Sequence, residues 1–334
     1  MKFIKRFLCH SIIIIFSCTN KISGPGFTDY SETVNRQFWT AAWSPDNNYI
    51  AVGGVDSMLR IYHARNLKLY KSFPVDSWIH IVKWHPGGET LAIGTLDKYV
   101  YLLNPHRGNI KSLKHQGGTR ALDWNYNGEL LAVADLEEGI NIRNTVGEHV
   151  NNIKKTFDPE TPGKAYLALD WHPSKNIMVA ANFQINLFDA DGRTLNKMEH
   201  TNKAAIILSA SWHPSGEFFV IGDYGYNWEG ENVPSLLHFW SQEGKLIKSV
   251  YGSKAPYRNI AWNKEGSRLA TASDVLRIWT NSGELMHESL QDSTNYLWGI
   301  DWSAGSDKII TASRFKSIAL WDSTASLVKR IDIK

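Results

Sequence analysis

Tyr257–Thr280 reads YRNIAWNKEGSRLATASDVLRIWT. Ile260–Trp262 is an apolar run ending on a large aromatic. Asn263-Lys264-Glu265-Gly266 is a turn, with Gly where a positive φ is expected. Arg268–Ala272 is a second strand, broken by Ser273-Asp274, and Val275–Trp279 is a third that closes on Trp. The rest of the chain repeats this unit with variations.

The Trp before the first turn serves as a ruler. It recurs at Trp43, Trp84, Trp124, Trp171, Trp212, Trp262 and Trp302, at spacings of 41, 40, 47, 41, 50 and 40 residues. A period of about 40–45 residues with several short strands per copy is the mark of propeller blades. Turn residues follow each ruler, as in Ser44-Pro45-Asp46-Asn47, His85-Pro86-Gly87-Gly88 and His213-Pro214-Ser215-Gly216. Pro pre-sets φ at the first corner, and Gly or Asn tolerates the second. The next run is short, apolar and rich in small residues, as in Ile50–Gly54 and Leu269–Ala272. Such runs suit strands covered on both faces, and small residues suit close approach of neighbouring blades. A third, alternating run follows, and then a fourth, more polar one that fits the outer rim. Seven units predict an all-β, seven-bladed β-propeller of four-stranded antiparallel blades over 38–334. One blade cannot bury both faces alone, so the ring must close. Closure uses Leu327–Ile333 as the outer strand of the last blade or a strand lent by Thr28–Phe38. The first is favoured, because the seventh copy already carries its own fourth run.

These copies resemble WD repeats, the tryptophan-aspartate repeats of β-propellers, from about Trp39 to the C-terminus. Trp321-Asp322 matches the signature fully; Trp279 and Trp240 lack the Asp, and Tyr62, Leu103, Arg143 and Phe188 replace the Trp. The resemblance implies an Asp six residues before that Trp, bracing a side-chain network. Asp56 and Asp97 hold the slot, and Glu137 is expected to hold it in the third copy.

The start of the chain differs. Lys2, Lys5 and Arg6 precede a mostly apolar Phe7–Phe16, too short for a transmembrane span. Ile15-Phe16-Ser17-Cys18 resembles the lipobox of bacterial lipoproteins. The resemblance implies a signal peptide over 1–17, a lipid on Cys18, a tether over 18–37, and an exported, membrane-anchored protein. An ordinary cleaved signal, an uncleaved anchor or a chance apolar N-terminus are the alternatives. Both cysteines, Cys9 and Cys18, lie in this leader. Of 36 Lys+Arg and 33 Asp+Glu, residues 1–17 hold three basic and no acidic ones, so the remainder balances at 33 against 33. A neutral propeller is a poor match for nucleic acid, whose binding rests on clustered Lys and Arg.

No phosphate loop, G-x-S-x-G, H-E-x-x-H or zinc-finger spacing occurs. Ser326-Leu327-Val328-Lys329 has the S-x-x-K form without its partner motifs. His85, His172 and His213 each follow a ruler Trp. A channel metal could collect them, but a turn role before Pro is favoured, and neither cofactor nor metal is expected. Nor is enzyme activity; a hydrolase would need a channel cluster of carboxylates or metal-bound His, which the sequence does not announce.

The resemblance implies that partners meet the face carrying the starts of the first strands. Four residues before each ruler lie Trp39, His80, Arg120, Leu167, Leu208, Arg258 and Trp298; six before lie Trp78 and Tyr296, and Arg314 is nearby in the seventh copy. Aromatics and arginines near one rim have a hot-spot composition, although packing between blades would use them equally. Copy five inserts eleven residues between Asp223 and Trp240, including Tyr224, Tyr226 and Trp228. A long aromatic loop there suits binding or capping. The expected function is a non-catalytic scaffold for an unidentified protein partner, with a carbohydrate- or small-ligand-binding propeller as the alternative.

Overall fold

A computed structural model describes residues 37–155, 165–201, 205–225, 235–290 and 295–333. These form seven four-stranded antiparallel sheets, each built from consecutive strands. Blade one is β1 (Phe38–Trp43), β2 (Tyr49–Gly54), β3 (Met58–His63) and β4 (Leu69–Pro74). Blades two to four run β5 (Ile79–Trp84) to β8 (Asn109–Lys114), β9 (Thr119–Trp124) to β12 (His149–Lys154), and β13 (Ala168–Trp171) to β16 (Thr194–Glu199). Blade five is β17 (Ile207–Trp212), β18 (Phe218–Asp223), β19 (Ser235–Ser241) and β20 (Leu246–Ser253). Blades six and seven run β21 (Asn259–Trp262) to β24 (Leu285–Glu288) and β25 (Leu297–Trp302) to β28 (Leu327–Asp332). The first strand of each blade packs against that of the next, and β1 meets β25, so the inner strands close a ring around a channel.

The core lies between sheets. Among the described residues, one apolar cluster sits at each of the seven junctions, from blades one and two around to blades seven and one. Every ruler Trp is buried. Each such ring removes roughly 150–250 Å² from water, worth about 4–6 kcal/mol as an upper bound. The seven outer strands instead carry exposed side chains, Leu69, Ile110 and Leu327 among them.

The ring closes without strand exchange. β28 pairs with β27 (Ser317–Asp322) along Ser317↔Asp332 to Trp321↔Leu327, so blade seven comes entirely from the C-terminal segment. Side chains join it to blade one. Asp301 accepts the Trp43 N–H (2.8 Å), Asn47 accepts the Ala304 N–H (2.7 Å), and Lys316 pairs with Asp56 (2.9 Å). Gly299 makes this approach possible, since a Cβ there would stand 2.6 Å from the Ala41 nitrogen.

The ruler histidines join blades rather than bind metal. The His85, His172 and His213 Nδ1 atoms accept backbone N–H bonds from Gly87, Ser174 and Ser215 in their own turns. That fixes the proton on Nε2, which donates to the Gly128, Gly216 and Gly266 carbonyls of the next blade at 3.0, 3.1 and 2.8 Å. Those glycines have φ of 77°, 77° and 70°, and a Cβ on any of them would strike the imidazole.

The brace of blade three is also corrected. Asp135, not Glu137, takes the role, accepting N–H bonds from Gln116, Gly117, Glu137 and Glu138 and facing His115 at 3.7 Å. These donors hold its carboxyl far below the usual range despite burial.

Candidate functional site: two levels of the central channel

The channel mouth is shaped by bulges. The β1–β2 register skips between Phe38 and Thr40, β5–β6 (Leu91–Thr95) between Ile79 and Ile81, β17–β18 between Ile207 and Ser209, and β25–β26 (Lys308–Ser313) between Leu297 and Gly299. The β9–β10 (Leu130–Asp135) register passes over Arg120 in the same way. A bulge inserts one extra residue and re-aims its side chain. The extra residues are Trp39, His80, Leu208, Trp298 and Arg120. In the other two blades Leu167 and Arg258 immediately precede β13 and β21. All seven line one central cavity of about 1090 Å³.

The aromatic side of the mouth is a packed set. Trp39 stacks on Trp298 (centroids 5.9 Å apart, planes at 25°) and takes the edges of Trp78 (5.7 Å) and His80 (4.3 Å). It is only 9% exposed, so packing claims it. Trp78 and Trp298 remain half-buried at the cavity wall. The Arg258 guanidinium lies 4.2 Å from the Trp298 ring centre and 5.8 Å from that of Tyr224. Cation–π contacts of this kind contribute about 0.5–2 kcal/mol. Tyr224 is buried against Leu167 and Leu208. Arg120 is half-buried, and its Nε has no hydrogen-bond partner among the described residues. Burial and the neighbouring Arg258 charge pull its guanidinium down to about 10. Burial and the same two arginines keep His80 neutral, far below its ordinary value. Tyr296 is exposed and Arg314 half-buried; both line the cavity, and the Arg314 N–H donates to the Tyr296 carbonyl (2.9 Å). Tyr226 and Trp228 of the copy-five insert lie outside the described residues, as does Cys18.

Three residues further along the inner strands lies a second ring, which sequence reasoning missed. The residue just before the ruler Trp is Lys83, Asp123, Asp170 and Asp301 in blades two, three, four and seven. The channel therefore does hold carboxylates, contrary to expectation. They serve as joints. Asp123 accepts the Trp171 N–H (3.0 Å), Asp170 the Trp212 N–H (2.7 Å) and Asp301 the Trp43 N–H (2.8 Å), each from the next blade. Lys83 Nζ lies 3.5 Å from Asp123. Asp123, with Asp170 and Asp301, raises the Lys83 ammonium above its ordinary range against the cost of burial. Burial, then the Asp123 charge, pushes Asp170 well up, and burial lifts Asp301 to about 6. The signal lay in an alternation of acid and ruler, Asp-Trp, at 123–124, 170–171 and 301–302.

Comparison with known proteins bears on the same repeats. The model of the WD domain, G-beta repeat, matches residues 28–63, which include β1 to β3. The matched repeat and the seven-bladed ring together support a WD-repeat β-propeller. The chain is also similar to the WD repeat-containing protein slp1 of Schizosaccharomyces pombe, at 19% identity over 171 residues. That alignment takes in 48% of this chain and 32% of slp1, so the chain spans about a third of that relative's length.

Proposed function

We propose that this WD-repeat propeller is a non-catalytic scaffold that holds a protein partner against the channel mouth. One observation carries the proposal. Arg120 and Arg258 stand beside half-buried Trp78 and Trp298 at the wall of an open cavity, with Arg120 Nε lacking an acceptor among the described residues. Aromatic and Arg side chains in partly desolvated pockets are the usual anchors of interfaces. The composition favours a partner segment bearing a carboxylate next to an apolar side chain. Tyr226 and Trp228 extend this surface in the proposal. The test is capture from the native host with the wild-type chain and with a Trp78→Ala/Arg258→Ala pair as bait. Capture should fall at least tenfold while the melting temperature moves by only a few degrees. Equal capture by both baits refutes the mouth as the docking surface.

A second proposal has the same mouth binding a carbohydrate or small ligand, favoured by stacked indoles over a cavity large enough for one. Trp fluorescence that changes on titration with oligosaccharides, and not with the captured protein, selects it.

The leader adds a proposal about location: export, and a tether to a membrane through lipid on Cys18. Its basis is the resemblance of Ile15–Cys18 to a lipobox. Intact-mass analysis from the native host should give a chain beginning at Cys18 with diacylglycerol mass. The Cys18→Ala variant should leave the membrane fraction, and its retention there refutes the tether.

A further inference from the structure

Blade five holds a side-chain cluster found nowhere in the channel. His200, Asp223 and His238 are each at most 2% exposed. His200 Nε2 is 3.4 Å from Asp223 Oδ2, and His238 Nε2 is 3.8 Å from the same oxygen. The ligand atoms of all three lie within 4.8 Å of one another, and the two imidazoles meet edge to face at 4.4 Å. The other Asp223 oxygen is already used, accepting the Gly225 and Leu236 N–H bonds (3.1 and 2.9 Å).

Two other blades show one way in which this place is filled. His238 lies two residues before Trp240, the end of the third strand's aromatic signature. The same position is Arg60 in blade one and Arg277 in blade six. There a guanidinium meets the turn aspartate directly, Arg60 with Asp56 at 2.7 Å and Arg277 with Asp274 at 2.6 Å. A fixed positive charge thus answers a buried carboxylate. Blade three has a His–Asp pair, His115 with Asp135, but Asn141 in place of the second imidazole. Blade five alone sets two imidazoles on one carboxylate oxygen among the described residues.

We propose that His200, Asp223 and His238 form a structural site for a divalent transition metal, of which zinc fits best. Zinc takes His nitrogens and carboxylate oxygens at about 2.0–2.2 Å, which puts ligand atoms on the order of 3.4 Å apart. The 3.4 and 3.8 Å separations are close to that spacing. The ion supplies the charge that Arg60 and Arg277 supply elsewhere. An outer shell is present too: His238 Nδ1 is 2.8 Å from Ser249 Oγ on the neighbouring strand. With Nδ1–H donating there, Nε2 turns its lone pair to the cluster, as a metal ligand requires. Complete burial makes the role structural, pinning the ends of the β18–β19 connection that Asp223 already holds at Gly225 and Leu236.

The test uses tag-free full-length chain, stripped with chelator and then titrated with Co²⁺ and with Zn²⁺ at pH 7.5. The expected results are one equivalent bound, visible cobalt absorption near 500–650 nm displaced by zinc, and a zinc-dependent rise in melting temperature. His238→Ala should abolish all three. His238→Arg is the safeguard against misfolding, because that residue occupies the position in two other blades. It should melt at or above the temperature of the stripped wild type and bind no metal. His115→Ala should leave the stoichiometry at one. Absence of a cobalt band, or binding retained by His238→Arg, overturns the proposal and leaves His238 as a neutral donor to Asp223.

Discussion

Two rings of side chains line one channel, three residues apart on the same strands, and they are built on opposite terms. The lower ring satisfies its groups internally. Lys83 faces Asp123, Asp170 and Asp301, and each carboxylate takes a backbone N–H from the next blade. The mouth gathers like charges. Arg258 raises the cost of charge on Arg120, and the Arg258 guanidinium lies over the Trp298 indole. A channel lined by inward-satisfied groups holds a ring together, whereas one with clustered cations and half-buried indoles at an open wall is suited to receive something.

The sharpest way to break that contrast is Trp39→Ala. If the mouth served binding alone, this change would leave stability intact. Its burial among Trp78, His80 and Trp298 predicts instead a loss of about 3–5 kcal/mol in urea unfolding. Trp39 would then be the floor on which the accessible residues rest.

The lower ring is tested next. Asp170→Ala removes the acceptor of the Trp212 N–H and should cost about 1–3 kcal/mol. Asp170→Asn keeps an acceptor oxygen and discards a charge opposed by burial and by Asp123, so it should be neutral or slightly stabilising at pH 7. Equal losses from both changes would mean that the charge, not the hydrogen bond, joins the blades.

The smallest effect concerns pH. Asp301 titrates near 6 in the folded chain and near 4 when unfolded. Between those values the folded state binds the extra proton, so this group adds stability as pH falls from about 6 towards 4. Buried His80, shifted down, acts in the opposite sense: its contribution is full above about 6.5 and drains away in acid. Comparing wild type with Asp301→Asn at each pH cancels the histidine part. From pH 7 to pH 5 the difference should move in favour of the wild type by on the order of 1 kcal/mol. A difference that stays flat with pH would place Asp301 in ordinary solvent.

What was legible in the sequence was local. Ruler Trp, Pro-Gly turns and small apolar strands each announce themselves within a few residues, and together they determine seven blades. Counting four back from the ruler found the mouth residues, yet not why they face it. A bulge is a relation between two strands, so nothing in Phe38-Trp39-Thr40 displays it alone. The same limit hid the histidine joints: His85 and Gly128 are both visible, but their contact exists only once blades two and three adjoin. Counting failed outright in blade three: its turn matches that of blade one in length, and six before Arg143 falls on Glu137, but the working carboxylate is Asp135, at the end of the strand that leads into the turn. The aspartates of the lower ring escaped because their column reads Ala42, Lys83, Asp123, Asp170, Ser211, Ala261 and Asp301, with no single residue type to flag it.

Between β1 and β25 the ring resembles a bracelet fastened by a clasp. Wherever a propeller borrows one strand across its closing point, opening means tearing a backbone ladder; here every ladder would survive. The clasp is an apolar seam, an indole stack, a lysine–aspartate pair and two short bonds, drawn tight around a glycine that leaves no room for slack. Fraying of this propeller therefore begins where its first and last blades meet, before it reaches any other junction.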